Sequence, residues 1–262
     1  MDFEDILYEK KDRVAKVTIN RPNRLNAFRA RTCYEMVEAF RDAADDISIG
    51  VVVLSGTGSR AFSAGGDLNW EAEGLSGVKG VIGIPIKLDH FRALTDIPKP
   101  TIAAVRGYAI GGGQVLHLAC DITIASENAI FGQNGPRVGS FNPGWGIGLL
   151  ADVVGLKKAK EIWMLCRQYS AGEALAMGLV NKVVADQELE TEVDKWCKEI
   201  LALGPVALQG VKLQFMRRTI QHAADYTEGL YTVSMLEQSA EADEGRKAFF
   251  EKRQADFWKT RE

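Results

Sequence analysis

Two spacings of apolar residues alternate along this chain. Residues 14–19, VAKVTI, place β-branched side chains on alternate positions and predict a strand, which NRP at 20–22 ends because proline has no N–H for a ladder. Residues 31–46, RTCYEMVEAFRDAADD, carry apolar side chains three and four apart and predict an amphipathic helix. VVVLSG at 51–56 is a continuous apolar run, as expected of a strand covered on both faces, and a glycine-rich loop, GTGSRAFSAGGDL, follows. Residues 71–83 read as mobile, from their glycines and mixed charge. A helix is expected over 84–96, stopped by IPKP, then a strand in TIAAVRG at 101–107. GYAIGGGQVLHLACD should begin a helix, and ITIAS and AIFG are two short strands. From residue 147 the pattern is helical: GLLADVVG, LKKAKEIWMLCRQ, AGEALAMG, then a long run over about 187–253, with only LVNKVV interposed as a strand. Strands alternating with helices predict an α/β core containing parallel strands over 1–200, and 201–262 reads as a helical region for docking or oligomerisation. No internal sequence repeat is visible.

Charge and cysteine content narrow the setting. The net charge of -3 leaves no positive field to attract nucleic acid. The first residues, MDFEDILYEKKDR, lack a signal peptide's apolar stretch, and no window approaches the roughly 20 apolar residues of a membrane span, so no membrane partner is expected. Cys33, Cys120, Cys166 and Cys197 form no CxxC pair and read as reduced thiols of a cytoplasmic protein. His90, His117 and His222 are far apart in sequence, and no metal site is expected.

Two glycine clusters carry the chemistry. AFSAGGDL holds Gly65 and Gly66 after a strand, and GYAIGGGQV holds Gly111, Gly112 and Gly113 where a helix begins. A helix N-terminus leaves N–H groups unpaired, and two such groups from separate loops aimed at one point form an oxyanion hole. Tight structural turns are the other reading of the same glycines. Neither cluster is a nucleotide fingerprint, since GGGQV lacks the Lys-Ser/Thr ending of a phosphate loop and the GxGxxG spacing is absent.

AFSAGGDL and IPKPTIAAVRGYAIGGG, with INRPNRLNAF upstream, resemble the crotonase (enoyl-CoA hydratase/isomerase) superfamily over residues 3–258. The resemblance implies a crotonase-like α/β spiral of ββα units with a C-terminal helical trimerisation region, assembled as a homotrimer or a dimer of trimers (a homohexamer). It implies an acyl-CoA thioester as substrate, coenzyme A being its carrier, with the thioester oxygen held by the N–H groups of Gly66 and Gly112. Arg24, Leu25 and Ala27 would lie along the CoA arm, Ala64 and Asp67 beside the adenine and pantetheine path. Lys252 would reach a CoA phosphate, in many members that of a neighbouring subunit.

Departures from that pattern bear on the reaction. Hydratases of the superfamily carry glutamates at positions that are Val115 and Gly135 here, and neither residue exchanges a proton. FGQNGPRVGSFNPGWG and the helix after it instead resemble 1,4-dihydroxy-2-naphthoyl-CoA synthase and 2-ketocyclohexanecarboxyl-CoA hydrolase, which make and break a C–C bond in a ring. GVIGIPIKLDHFRALTDIPKP and NAFRARTCYEM are closer to the hydrolase; Phe141 and Trp145 resemble the synthase, Pro143 the hydrolase. Both subfamilies place an aspartate where this chain has Asn142, and a tyrosine where an ungapped count gives Glu237. An amide orients water or a carbonyl and cannot act as a base, whereas a carboxylate in a low-dielectric pocket can. Glu237 is thus a candidate base, a solvated helix residue being the alternative; a slipped alignment would bring Tyr231 there. The synthase resemblance makes Gln133 and Gly135 a candidate bicarbonate site, Gly135 leaving the space. Ser140 resembles a substrate-contacting serine, its other reading being a turn hydroxyl bonded to its own backbone.

Other residues are assigned plainer roles. His117 and Tyr108 read as structural, Trp163 and Trp196 as helix packing, and Asp67 as a fixer of loop geometry. His90 is a candidate for the acyl pocket, and Trp70 and Trp145 for its apolar walls. Three functions compete: an enzyme acting on a cyclic 3-oxoacyl-CoA, a hydratase or isomerase of an alicyclic enoyl-CoA, and a silent acyl-CoA binder.

Overall fold

A computed structural model describes residues 2–69 and 89–261. The chain opens with an antiparallel pair, β1 (Ile6–Lys11) and β2 (Val14–Ile19), and from β2 onward the main sheet is parallel. β3 (Val51–Gly56), β5 (Thr101–Val105), β7 (Ile122–Ser126) and β10 (Lys182–Val184) complete the six strands in the order β1-β2-β3-β5-β7-β10. A second sheet takes β4 (Ala61–Ser63), β6 (Tyr108–Ile110), β8 (Ile130–Gly132) and β9 (Gln168–Ser170) in that order. Each turn of the spiral gives one strand to each sheet: β3 then β4, β5 then β6, β7 then β8. This is the expected α/β spiral, and its repeat lies in backbone path rather than in sequence.

Burial explains the strands. Val51–Leu54 and Thr101–Val105 are buried on both faces, and alternate residues of β2 face the core. α1 (Ala30–Asp45) lays Cys33, Met36, Val37, Phe40 and Ala43 against the core, matching its expected span. α2 (His90–Thr95) is the described part of the helix expected over 84–96; the expected mobile segment and Trp70 lie outside the described residues. GYAIGGGQV divides into strand β6 and then helix α3 (Gly112–Ala119), where a helix alone was expected. β1, β4 and β9 were not anticipated, being short or at a sheet edge.

Beyond a π-helical turn at Trp145–Leu149 come α4 (Leu150–Val154), α5 (Leu156–Leu165), α6 (Ala171–Ala176) and α7 (Leu189–Leu201). The C-terminal region is α8 (Pro205–Glu237) and α9 (Ala240–Phe250). Lys212 pins α8 to the main sheet, donating to the Asp121 carboxylate at 2.6 Å and the Lys99 carbonyl at 2.8 Å. No helix among the described residues is long and apolar enough to cross a membrane. All four cysteines are buried.

Candidate active site

A cleft of about 530 Å³ opens between the two glycine clusters. Its first wall is the loop after β2. Leu25 and Asn26 both adopt left-handed backbone (φ 51 and 53), a conformation that costs energy outside glycine and needs fixing. Asn26 supplies the fixing: buried, it accepts from the Arg21 N–H at 3.0 Å and donates to the carbonyls of Thr57 at 3.0 Å and Ala61 at 2.7 Å. Arg24, Leu25 and Ala27 thereby reach the cleft, which Ala64, Gly66 and Asp67 of the neighbouring segment also line, the Ala64 N–H donating to the Leu25 carbonyl at 3.0 Å.

The main chain then presents its donors. Phe28 and Gly66 form an isolated parallel bridge, in which the Phe28 N–H donates to the Gly65 carbonyl at 2.8 Å and the Asp67 N–H to the Phe28 carbonyl at 2.9 Å. Those bonds use the neighbours of Gly66 and turn its own N–H away from the bridge. The Gly65 N–H is taken by the Ser63 hydroxyl at 3.2 Å, and the Gly111 N–H by the Gly132 carbonyl at 2.9 Å. Gly112 is the first residue of α3, where no intrahelical acceptor exists. Among the described residues neither Gly66 nor Gly112 N–H has a hydrogen-bond acceptor. The two loops also meet: a Cβ placed on Gly65 would lie 2.8 Å from the Gly112 nitrogen. The expected pair of donors is therefore assembled on one cleft, with a helix dipole behind one of them.

Asp67 fixes the loop rather than offering a base. Burial pushes its carboxyl up, but hydrogen bonds from the Arg21 guanidinium (3.0 Å) and Asn69 overcome this and hold it below the usual carboxylate range. Arg21 also donates to the Ala27 carbonyl and faces Asp5 at 3.7 Å, so one guanidinium ties both walls of the cleft to β1. Replacing Arg21 by leucine should cost about 2–4 kcal/mol by stranding the buried Asp67 carboxylate, read as a lower denaturant midpoint. Because the Asp67 carboxyl is held low when folded, its contribution exists above the unfolded value near 3.8 and disappears as pH falls below it. The variant's deficit should therefore shrink in acid; an equal deficit at every pH would contradict the pairing.

The third wall is the loop after β8. Asn134, Gly135, Val138, Ser140, Phe141 and Asn142 line the cleft. Among the described residues neither the Ser140 hydroxyl nor the Asn142 amide has a partner, which leaves both free for a ligand and sets aside the turn-hydroxyl reading of Ser140. Gly135 lines the cleft but has no room for a side chain. A Cβ there would lie 2.6 Å from the Ser140 carbonyl oxygen and 3.0 Å from Phe141 Cα. Gln133 is buried with both amide atoms unpaired among the described residues and does not line the cleft. Of the two residues expected to hold a bicarbonate, Gly135 alone lines the cleft, and no step below runs through that ion.

Several other expectations are relocated. Burial raises the Glu237 carboxyl, as anticipated, against the Arg246 charge that lowers it; yet the residue closes α8 and is not among the cleft-lining residues. Tyr231 is exposed on the same helix. Trp145 is buried in the core, edge-on to His222, and forms no wall of the cleft. Tyr108 stands half-exposed at the cleft instead of in the packing. Lys252 is exposed in a left-handed turn (φ 55), two residues beyond Phe250, a cleft residue. His117 is a core histidine: burial brings its pKa down to about 3, and Nδ1 meets the Thr123 hydroxyl at 3.2 Å. Trp163 donates to the Gly146 carbonyl at 3.0 Å, and Trp196 to Glu192 at 2.7 Å. His90 packs behind the cleft wall, its ring 4.8 Å from that of Phe28.

Asp89 caps α2, accepting the Arg92 N–H at 2.9 Å, and burial pushes its pKa up to about 6; it is not among the residues that line the cleft.

A family model described as enoyl-CoA hydratase/isomerase matches residues 9–260. An enoyl-CoA hydratase from Mycobacterium avium subsp. paratuberculosis K-10 shares 31% identity at a TM-score of 0.85, covering 97% of this chain and 99% of its own. An enoyl-CoA hydratase/isomerase from Xanthobacter autotrophicus Py2 shares 34% identity at a TM-score of 0.82, covering 95% and 93%. A carnitinyl-CoA hydratase from Mycobacterium avium shares 29% identity at a TM-score of 0.81, covering 96% and 97%.

Proposed function

The chain belongs to the enoyl-CoA hydratase/isomerase family, and from that premise we propose that it breaks or makes a C–C bond in a cyclic 3-oxoacyl-CoA. One observation supports this over water addition by two glutamates: the cleft pairs two main-chain donors with neutral Ser140 and Asn142, and Asp67, the one carboxylate lining it among the described residues, is tied to Arg21. In the cleavage direction, water adds to the ring ketone, held by Ser140 and Asn142. The bond from that carbon to the thioester α-carbon then breaks. Its electron pair becomes a thioester enolate, whose oxygen rests on the Gly66 and Gly112 N–H groups, worth about 3 kcal/mol of barrier per donor. Protonation of the α-carbon releases an ω-carboxyacyl-CoA.

CoA lies along Arg24, Leu25, Ala27, Ala64 and Asp67 in this reading. Three copies, or two such trimers, associate through α8, where Val206, Phe215, Ile220 and Met235 are exposed, and Lys252 reaches a CoA phosphate.

Incubation with 2-ketocyclohexanecarboxyl-CoA in ¹⁸O-water should give pimeloyl-CoA with one heavy oxygen in its free carboxyl, read by mass spectrometry. Tight binding of that thioester with no product at high enzyme concentration overturns cleavage. The names of the structural relatives favour a second reading, hydration or isomerisation of an alicyclic enoyl-CoA. Loss of conjugated absorbance from a cyclic enoyl-CoA would select it, and binding of every thioester without turnover would indicate a silent acyl-CoA binder.

A further inference from the structure

Ser140 and Asn142 reach the cleft from a stretch with no helix or strand of its own, between the turn at Gly135–Val138 and the π-helical turn at Trp145–Leu149. A polar side chain in such a stretch is only as well placed as the surfaces on which the backbone rests. One of those surfaces is α8. A Cβ added to Gly229 would overlap the Pro143 ring, and one added to Gly148 would overlap the His222 ring. One added to Gly144 would run into Tyr226 and the His222 carbonyl. His222, Tyr226 and Gly229 are spaced four and three apart, a single stripe along the helix. The three glycines let loop and helix approach with no side chain between them. The other surface is α3, the helix that presents the Gly112 N–H. A Cβ on Gly146 would lie 3.0 Å from Val115 Cγ2 of α3 and 2.9 Å from Asn142 Cβ. The loop is thus clamped between α8 and α3, with Asn142 at its edge.

Among the described residues one hydrogen bond crosses the α8 side of this clamp. His222 is buried, and its Nε2 meets the Asp152 carboxylate of α4 at 2.8 Å; carboxylate oxygens accept, so Nε2 carries the hydrogen. Nδ1 has no hydrogen-bond partner among the described residues, the Asp225 carboxylate standing 3.8 Å away. The same ring is edge-on to Trp145, with 6.4 Å between centroids. Pro143 is seated by Gly229 and Asp152 by His222, so α8 grips the segment 143–152 at both ends. We propose that His222 is a positioning residue: through its bond to Asp152 it seats this segment on α8 and so aims Asn142 into the cleft. The effect on rate rests on the C–C bond reading, in which Asn142 holds the ring ketone. His222 does not line the cleft and acts through the loop.

Packing alone sets how closely the loop approaches α8 and leaves it able to slide along the helix axis. A directional bond from a buried ring removes that freedom. Asn142 adjoins Pro143, so a slide of the loop is a slide of the amide, and a misplacement of about 1 Å can cost about 10²-fold in rate. The residues assigned to CoA are spared. Among the described residues the main chain of Arg24, Leu25 and Ala27 bonds within its own loop and to the Ala64 N–H, and shares no hydrogen bond with 143–152.

Three variants separate the bond from the packing. His222→Phe keeps a ring and removes the hydrogen, and His222→Gln restores an N–H near the place of Nε2. Asp152→Ala removes the acceptor from a side chain that is otherwise exposed, where folding is least at risk. With 2-ketocyclohexanecarboxyl-CoA, His222→Phe and Asp152→Ala should each lower kcat by about 10- to 10²-fold. Affinity for CoA should stay within about threefold of wild type. The double variant should lose no more than either single one, because the two residues act through one bond. His222→Gln should recover most of the rate. Hydrogen exchange supplies a readout that needs no turnover. In His222→Phe and Asp152→Ala the amides of 144–152 should exchange about tenfold faster or more, while those of β2, β3 and β5 keep their wild-type rates. An active wild type whose His222→Phe and Asp152→Ala variants keep kcat overturns the positioning role. Additive losses in the double variant, or faster exchange spread over the main sheet, overturn it too. A wild type that binds the thioester without opening it overturns the C–C reading; exchange confined to 144–152 then still upholds His222 as the seat of the loop, and unchanged exchange overturns both.

Discussion

Replacing Gly65 by alanine should lower kcat by about 10²–10³-fold, equivalent to about 3–4 kcal/mol of transition-state stabilisation. Gly65 has φ +91, where an L side chain is strained by about 1–2 kcal/mol. Its new methyl would lie 2.8 Å from the Gly112 nitrogen and 3.0 Å from the Ile110 carbonyl, both main-chain atoms that cannot rotate aside. The loops must separate, and separation moves the Gly66 and Gly112 N–H groups off their common point. Because the Ala64 N–H donates to the Leu25 carbonyl and the Gly65 carbonyl accepts from the Phe28 N–H, the strain reaches the Arg24–Ala27 segment too, and affinity for CoA should fall along with kcat. Gly172→Ala is the matched control: it sits in α6 with nothing within 4 Å of the added carbon, and alanine there should be neutral or slightly stabilising. Full activity of Gly65→Ala would mean that charge on the thioester oxygen is not held at this point.

The paired main-chain donors at Gly66 and Gly112 were legible in sequence because they are made of backbone. A glycine pair after a strand and a glycine triplet opening a helix announce main-chain donors wherever the chain goes, and Gly66 and Gly112 do share the cleft. The use of a carboxylate was not legible, because it depends on what surrounds the group. Asp67 stands beside Gly66 in sequence, yet Arg21, from a different loop, claims it. Glu237 shows the opposite error: its carboxyl is raised as foreseen, but register along a 33-residue helix does not say which turn faces the cleft. Trp145 likewise sits in the right loop, but a π-helical turn rotates it inward to the core.

Installing the two family glutamates should not turn this chain into a two-glutamate hydratase; Gly135→Glu should instead damage the fold. The position suggests a simple loss of a side chain that could be put back. The structure gives a different account, because the Ser140 carbonyl and Phe141 Cα occupy the place where that side chain would start. Backbone must move, and it is the backbone carrying Ser140 and Asn142. Overpacking of this kind costs about 1–3 kcal/mol, and burying an unpaired carboxylate adds to it. A loss of about 3 kcal/mol corresponds to roughly 6–12 °C in Tm for a chain of this size. Val115 offers no relief, since it is buried in the core against Gly146 rather than on the cleft, so glutamate there would be held neutral. The double variant should therefore show a lowered Tm and no gain in hydration of a linear enoyl-CoA, followed by absorbance. A folded double variant that hydrates the linear substrate would mean that the loop gives way readily and that two side chains alone separate this cleft from water addition. A destabilised and still inert variant would instead mean that loop and chemistry changed together, the backbone of Ser140–Phe141 having closed over the glutamate's place.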